Sequence, residues 1–219
     1  MMSALPELLL LRHGQTEWNR EGRFQGARDS RLTDLGRAQA MAMGSVLRDL
    51  GVGPGSHRAL TSPQGRARAT ASLALQALNL EARDDPRLVE IGMGDWTGLT
   101  REEIDRRWPG PPGEPLLDFY ARCPAGESLG ELARRAEGVL ATLERPTIIV
   151  THGITLRVLC ALALAPLADI SSFMDMHPCS PMRATLANRP VPKSFIRIFA
   201  SFFHTHPSEL RTPRASVCT

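Results

Sequence analysis

Two histidines each close an apolar run and are each followed by a glycine: His13 in LLLLRHG (8–14) and His152 in TIIVTHG (147–153). Between them in the chain lie Arg66, in TSPQGRARAT (61–70), and Glu90, in LVEIG (88–92). With Arg12 beside the first histidine, the set is two imidazoles, two guanidiniums and one carboxylate. These residue types suit a phosphate group. Arginine forks match phosphate oxygens bidentately and keep their charge at any working pH. A neutral imidazole nitrogen is a competent nucleophile towards phosphorus, and neighbouring cations spread the charge of the transferring group. A carboxyl such as Glu90 can donate a proton to the leaving oxygen, provided burial or anionic neighbours favour its protonated form. Taken singly, each of these residues is as well explained as an ordinary polar residue at the end of an element. Only together do they point to one ligand.

The elements that must bring them together can be read from the pattern. Glu7–Arg12 reads as a buried strand, a short continuous apolar run ended by a turn signal. Arg58–Ser62, Arg87–Ile91 and Thr147–Thr151 read as three more, the last being β-branched and tightly bounded. Helices fall between them. Thr33 can cap one running to about Leu50, ended by Gly51. Ser62-Pro63 can open a second, with Ser62 as cap and Pro63 in the first position, reaching about Leu80. Ser128–Leu143 and Gly153–Leu164 make a third and fourth. Alternating strands and helices predict an α/β three-layer sandwich with a largely parallel central sheet and helices on both faces. Residues 94–126 break the rhythm with crowded prolines and two tryptophans, and read as a small lid insert of about 95–125. Ligands of such sheets bind beyond the carboxyl ends of the strands, where Arg12-His13, Ser62 to Arg66, Glu90 and His152 would converge. Helix starts near Gly14, Ser62 and Gly153 would add backbone donors, and the glycine after each histidine would let a phosphate approach the main chain.

The ordered set LLRHGQTEWN, TSPQGRARAT, LVEIGMGDWTGLT, PAGES and IIVTHG resembles the histidine phosphatase superfamily, which includes the cofactor-dependent phosphoglycerate mutases. The resemblance spans Leu8 to Leu164. It implies that His13 becomes a phosphohistidine without a metal, that Arg12, Arg66 and His152 bind the phosphoryl group, and that Glu90 is the proton donor and then the base for water. It also implies phosphate-pocket roles for Asn19, Gln25 and Gly26, beside Gly14 and Gly153. GDWTGLT resembles the broad phosphatase members, and the span from Glu90 to His152 is short. The expected activity is therefore hydrolysis of a phosphomonoester. A phosphoglycerate mutase, which alone would need 2,3-bisphosphoglycerate, is the alternative, and a weakly catalytic phospho-ligand-binding regulator is a third. Phosphoglycerates, sugar phosphates, a nucleotide-linked phosphate and a phosphoprotein are the candidate substrates.

Composition sets the remaining bounds. With 219 residues, 42% of them apolar, the chain can bury a substantial core. No apolar run reaches a membrane span, and the N-terminus lacks the basic lead-in of a signal peptide. Cys123, Cys160, Cys179 and Cys218 are scattered without metal-ligand spacing, as reduced thiols of a cytoplasmic protein are. A formal charge of +3 does not argue for nucleic acid. The expected partner is a small phosphorylated substrate, with no nucleic acid or membrane; a homodimer is compatible. Arg20, Arg23, Arg28 and Arg31 follow the nucleophile, either as a funnel for anions or as solvated charge. Trp18 and Trp96 read as packing residues near the pocket. His57, His177, His204 and His206 fit no part of the scheme. Residues 1–172 are taken as the domain. Residues 173–219 are an atypical extension, rich in phenylalanine and proline, that holds Lys193, the chain's only lysine. That extension reads either as an interaction segment or as the product of a changed reading frame.

Overall fold

The computed structural model describes residues 5–164, 196–199 and 216–218. In chain order the elements are β1 (Leu8–Arg12), α1 (Glu17–Arg20), α2 (Asp34–Asp49), β2 (Arg58–Thr61), α3 (Gly65–Leu75), β3 (Ala82–Asp84), α4 (Arg101–Arg107), α5 (Leu116–Ala121), α6 (Leu129–Leu140), β4 (Thr147–Thr151), α7 (Gly153–Leu164), β5 (Ile196–Phe199) and β6 (Ser216–Cys218). The sheet runs β3-β2-β4-β1-β5-β6. All pairings are parallel except that of β6, which lies antiparallel at the edge.

The four leucines of β1 explain themselves in this sheet. Successive strand side chains point to opposite faces. Leu8 and Leu10 enter a core built with α6, α7 and residues 88–123, while Leu9 and Leu11 enter a second core built with α2 and α3. A strand covered on both faces must be apolar throughout. The same holds for β4, every residue of which is buried. The α/β sandwich with helices on both faces is therefore the observed fold. Among the described residues no helix is long and apolar enough to cross a membrane.

Two expectations fail, each for a local reason. Arg87–Ile91 is not a strand. The third strand is Ala82–Asp84, an edge strand whose Arg83 and Asp84 face solvent, so it carries no apolar run to read. The segment after it turns through a 3₁₀ helix, Pro86–Leu88, with Asp85 accepting the Arg87 N–H at 2.9 Å. Nor does Ser62 cap α3. That helix begins two residues later than Pro63, at Gly65, and its N-cap Gln64 makes no side-chain capping bond. The hydroxyl of Ser62 is committed elsewhere, as described below. Thr33 and Ser128 do cap α2 and α6, the latter in a reciprocal capping box with Glu131.

Residues 94–126 form a compact insert of one 3₁₀ turn (Gly94–Trp96), α4 and α5. Trp96 and Phe119 pack at 4.6 Å between ring centroids, with the Arg101 guanidinium 4.1 Å above Phe119 and that of Arg122 4.9 Å above Trp96. Trp96 is fully buried, and Trp18 lies half-buried against Gly98. His57 precedes β2 at the opposite end of the sheet from the arginine and histidine cluster, with its Nε2 3.4 Å from Glu7 Oε2. His177, His204 and His206 lie outside the described residues.

Close approach of backbones sets the α2 packing. A Cβ on Gly36 would stand 2.0 Å from Gln15 O, and one on Gly44 would stand 2.4 Å from Ala74 O in α3. Alanine in a helix interior gains about 1 kcal/mol over glycine, whereas overpacking costs about 1–3 kcal/mol. Because both neighbours here are main chain, the clash outweighs the gain. Gly44→Ala is therefore expected to melt lower than the wild type, by about 2–4 °C for each kcal/mol of net loss. An unchanged or raised melting temperature would mean that α2 and α3 can separate at no cost.

Candidate active site

The parallel register of β1 and β4 sets Arg12 opposite Thr151. The ladder continues one step further, with the His13 N–H donating to Thr151 O at 2.9 Å. His13 and His152 therefore leave the sheet side by side, with ring centroids 5.1 Å apart. Since β4 also pairs with β2, the start of α3 and its Arg66 arrive on the other side of His152.

His13 is 3% exposed. Its Nδ1 lies 2.8 Å from Gly14 O, and because a carbonyl can only accept, Nδ1 carries the proton. This leaves the Nε2 lone pair for the pocket that His13 lines, a cavity of about 220 Å³. Burial, then the charges of Arg12 and Arg66, hold the His13 pKa well below the ordinary histidine value. The ring is therefore neutral at neutral pH.

Arg12 and Arg66 flank it. Burial lowers the Arg12 pKa to about 10, opposed chiefly by the charge of Glu90, so the guanidinium stays charged. Gly153 makes room for it, since a Cβ there would stand 3.3 Å from Arg12 Cζ. Arg66 donates through Nε to His152 Nδ1 (3.1 Å), through one terminal nitrogen to Arg28 O (2.6 Å) and Asp29 Oδ1 (3.0 Å), and through the other to Gly26 O (3.1 Å). Asp29 also accepts the Arg66 backbone N–H, standing in for the missing cap of α3. His152 accepts from Arg66 at Nδ1, so its Nε2 carries the proton and donates to Ser62 Oγ at 2.7 Å. This is the use of the Ser62 hydroxyl that capping would have excluded. His152 is fully buried behind His13 and does not line the pocket, and burial is the main cause of its own lowered pKa.

Glu90 reaches the pocket from a loop rather than from a strand end. Thr151 Oγ1 donates to Leu88 O and Thr155 Oγ1 to Val89 O, both at 2.8 Å, which ties the loop to β4 and α7. The carboxylate accepts the N–H groups of Ile154 (3.3 Å) and Thr155 (3.1 Å) at the start of α7. Asn19 and Gln25 line the pocket from a hydrogen-bonded loop centred on Thr16. Asn19 Oδ1 accepts from the Thr16 N–H and hydroxyl, which leaves its amide hydrogens for the cavity; Gln25 Nε2 donates to Thr16 Oγ1 at 2.9 Å. Gly26 lines the pocket with a positive φ of 51°. Gly14 does not line it. The Gly14 N–H donates to Thr70 Oγ1 at 3.0 Å, and a Cβ would meet Gly36 O at 2.2 Å. Its smallness serves helix packing rather than phosphate access.

Several pocket residues carry no sequence signal of their own. Tyr120, Phe24 and Met93 form the less polar wall, and Asp29, Ser62 and Gln64 hold others in place. Of the basic loop, Arg23 reaches the rim, where Gly98 O (2.8 Å) and Glu103 (3.1 Å) engage it, and Arg28 contributes its carbonyl. Among the described residues no three His, Cys, Asp or Glu side chains cluster as metal ligands do.

The two neutral histidines make stability pH-dependent. Their folded pKa values lie below 6.5, so below that pH the unfolded chain takes up protons first. Their contribution is fully present above pH 6.5 and falls as the pH drops, by up to about 1.4 kcal/mol per unit for each ring. Melting curves from pH 7.5 to 5 should show this decline, and His13→Gln should flatten it. An identical slope in the variant would mean that His13 protonates as freely folded as unfolded.

Comparison with known proteins agrees with this fold. The family description "Histidine phosphatase superfamily (branch 1)" matches residues 8–189. A protein of Erwinia tasmaniensis named "Probable phosphoglycerate mutase GpmB" is 35% identical over 84% of this chain and 86% of its own. One of the same name from Escherichia fergusonii is 36% identical over 80% and 82%. Among solved structures, a mycobacterial glucosyl-3-phosphoglycerate phosphatase in complex with VO3 superposes with a TM-score of 0.66 at 31% identity, covering 77% of this chain and 84% of that one. On the fold, the family match and these relatives, the chain belongs to branch 1 of the histidine phosphatase superfamily.

Proposed function

We propose that the chain is a metal-independent phosphomonoester hydrolase working through a phosphohistidine on His13. The observation that carries this reading is the fixed, neutral imidazole of His13, its Nδ1 tied to Gly14 O and its Nε2 lone pair left over, in a residue that lines one cavity with Arg12 and Arg66. Nε2 attacks phosphorus and the bond to the ester oxygen breaks. Glu90 passes a proton to that oxygen, and the alcohol leaves. The arginines hold the equatorial oxygens during transfer. Glu90 then takes a proton from water, whose oxygen attacks phosphorus; the N–P bond breaks, and inorganic phosphate and neutral His13 result. His152 acts through Arg66, orienting the guanidinium that meets the phosphate.

A mutase is the second reading, favoured by the name of the relatives at 35–36% identity. The names of those relatives and of the mycobacterial phosphatase share a phosphoglycerate unit, so phosphoglycerates and their glycosides head the candidate substrates.

With excess EDTA, the wild type should hydrolyse p-nitrophenyl phosphate, and His13→Ala should lose activity on the order of a thousand-fold or more. Activity abolished by EDTA, or retained in the variant, would end the phosphohistidine reading. Incubation with 3-phosphoglycerate and 2,3-bisphosphoglycerate decides between the two activities: release of inorganic phosphate supports the hydrolase, and formation of 2-phosphoglycerate supports the mutase.

A further inference from the structure

Gln64 stands in the loop between β2 and α3 and does not line the pocket. Its side-chain amide nonetheless joins three parts of the site. Oε1 accepts the backbone N–H of Glu90 at 2.9 Å, and Nε2 donates to Gly26 O at 2.8 Å. Both partners are main-chain groups of fixed polarity, so the amide has one orientation that satisfies both. Gly26 O is the carbonyl that also receives Arg66. Arg66 bonds His152, and His152 bonds Ser62. Ser62 returns to Gln64 through the Gln64 backbone N–H at 3.3 Å and a long hydroxyl contact at 3.4 Å. A closed ring of hydrogen bonds thus runs from Gly26 through Arg66, His152 and Ser62 back to Gln64, with the Glu90 backbone hung from it at Gln64.

Glu90 is gripped from two sides. The α7 start holds its carboxylate, and Gln64 holds its main chain. An apolar side chain at position 64 would remove the second grip and leave the first. We propose that Gln64 is a positioning residue for the proton-donation step, fixing Glu90 at its working distance from the leaving oxygen. This rests on the role given to Glu90 above.

A merely structural role is separable, because a misplaced acid hurts only substrates that need one. The ratio kcat/KM reports steps up to departure of the leaving group. p-Nitrophenolate leaves without much help, whereas an alkoxide must be protonated. For Gln64→Leu, kcat/KM should fall about ten-fold or more on an alkyl phosphate such as glycerol 1-phosphate and less than about three-fold on p-nitrophenyl phosphate. Gln64→Met, close in length but unable to make either bond, should give the same split and serves if the leucine variant fails to fold. Glu90→Gln should show the split in stronger form, about a hundred-fold or more on the alkyl substrate. If Glu90→Gln is split and the Gln64 variants lose activity equally on both substrates, or not at all, Gln64 does not position Glu90 and the proposal is overturned. If Glu90→Gln itself shows no split while His13→Ala is inactive, the proton-donor role of Glu90 fails, and this inference falls with it.

Discussion

The parallel pairing of β1 with β4 is the constraint on which the site depends. It sets Arg12 against Thr151 and so places His13 and His152 side by side as the sheet ends. Both strands are buried on both faces, so a one-residue slip would turn each leucine of β1 from one core to the other and carry the histidine with it. A side chain held by such a strand, as His13 is, is aimed by the whole sandwich, and loops need only bring their groups to it.

Those groups form a cluster of unusual charge. Two guanidiniums, that of Arg66 buried, lie beside two neutral imidazoles, with Asp29 on Arg66 and the charge of Glu90 acting on Arg12 as the nearby anionic influences. Burial first, and then the same positive field, keep His13 and His152 unprotonated, and that field favours a dianion in the cavity. The cost is a set of buried polar groups that must all be paired, which is why Thr16, Ser62, Gln64 and Asp29 spend their hydrogen bonds on other site residues.

Glycine marks where elements touch, and only partly where a ligand enters. Gly14 and Gly36 let α2 lie against the loop that follows His13, Gly153 clears the Arg12 guanidinium, and Gly26 turns the pocket loop through a positive φ. A glycine next to a candidate site residue has two readings from sequence, backbone room for a ligand or backbone room for a neighbouring helix. Here Gly14 serves the second.

The chain's own order of residues determined the buried strands, the apolar faces and the chemistry of the site. Thr147–Thr151 is legible to the residue because β-branched, doubly buried strands leave an unbroken apolar run, and His13, Arg66, Glu90 and His152 are legible because their types suit one ligand. Ala82–Asp84 was not legible, since an edge strand facing water carries no such run. Tertiary structure alone decided that Glu90 comes from a loop pinned by Thr151 and Thr155, that His152 sits behind His13, that Ser62 serves His152 instead of capping a helix, and that Gln64 bridges Glu90 to Gly26. Each of these depends on a hydrogen bond between residues far apart in the chain, from 26 positions for Gln64 and Glu90 to 90 for Ser62 and His152 and more for His13 and Thr151. Local propensity acts within a turn or two of chain, so which distant partner a polar side chain meets is settled only when the layers pack.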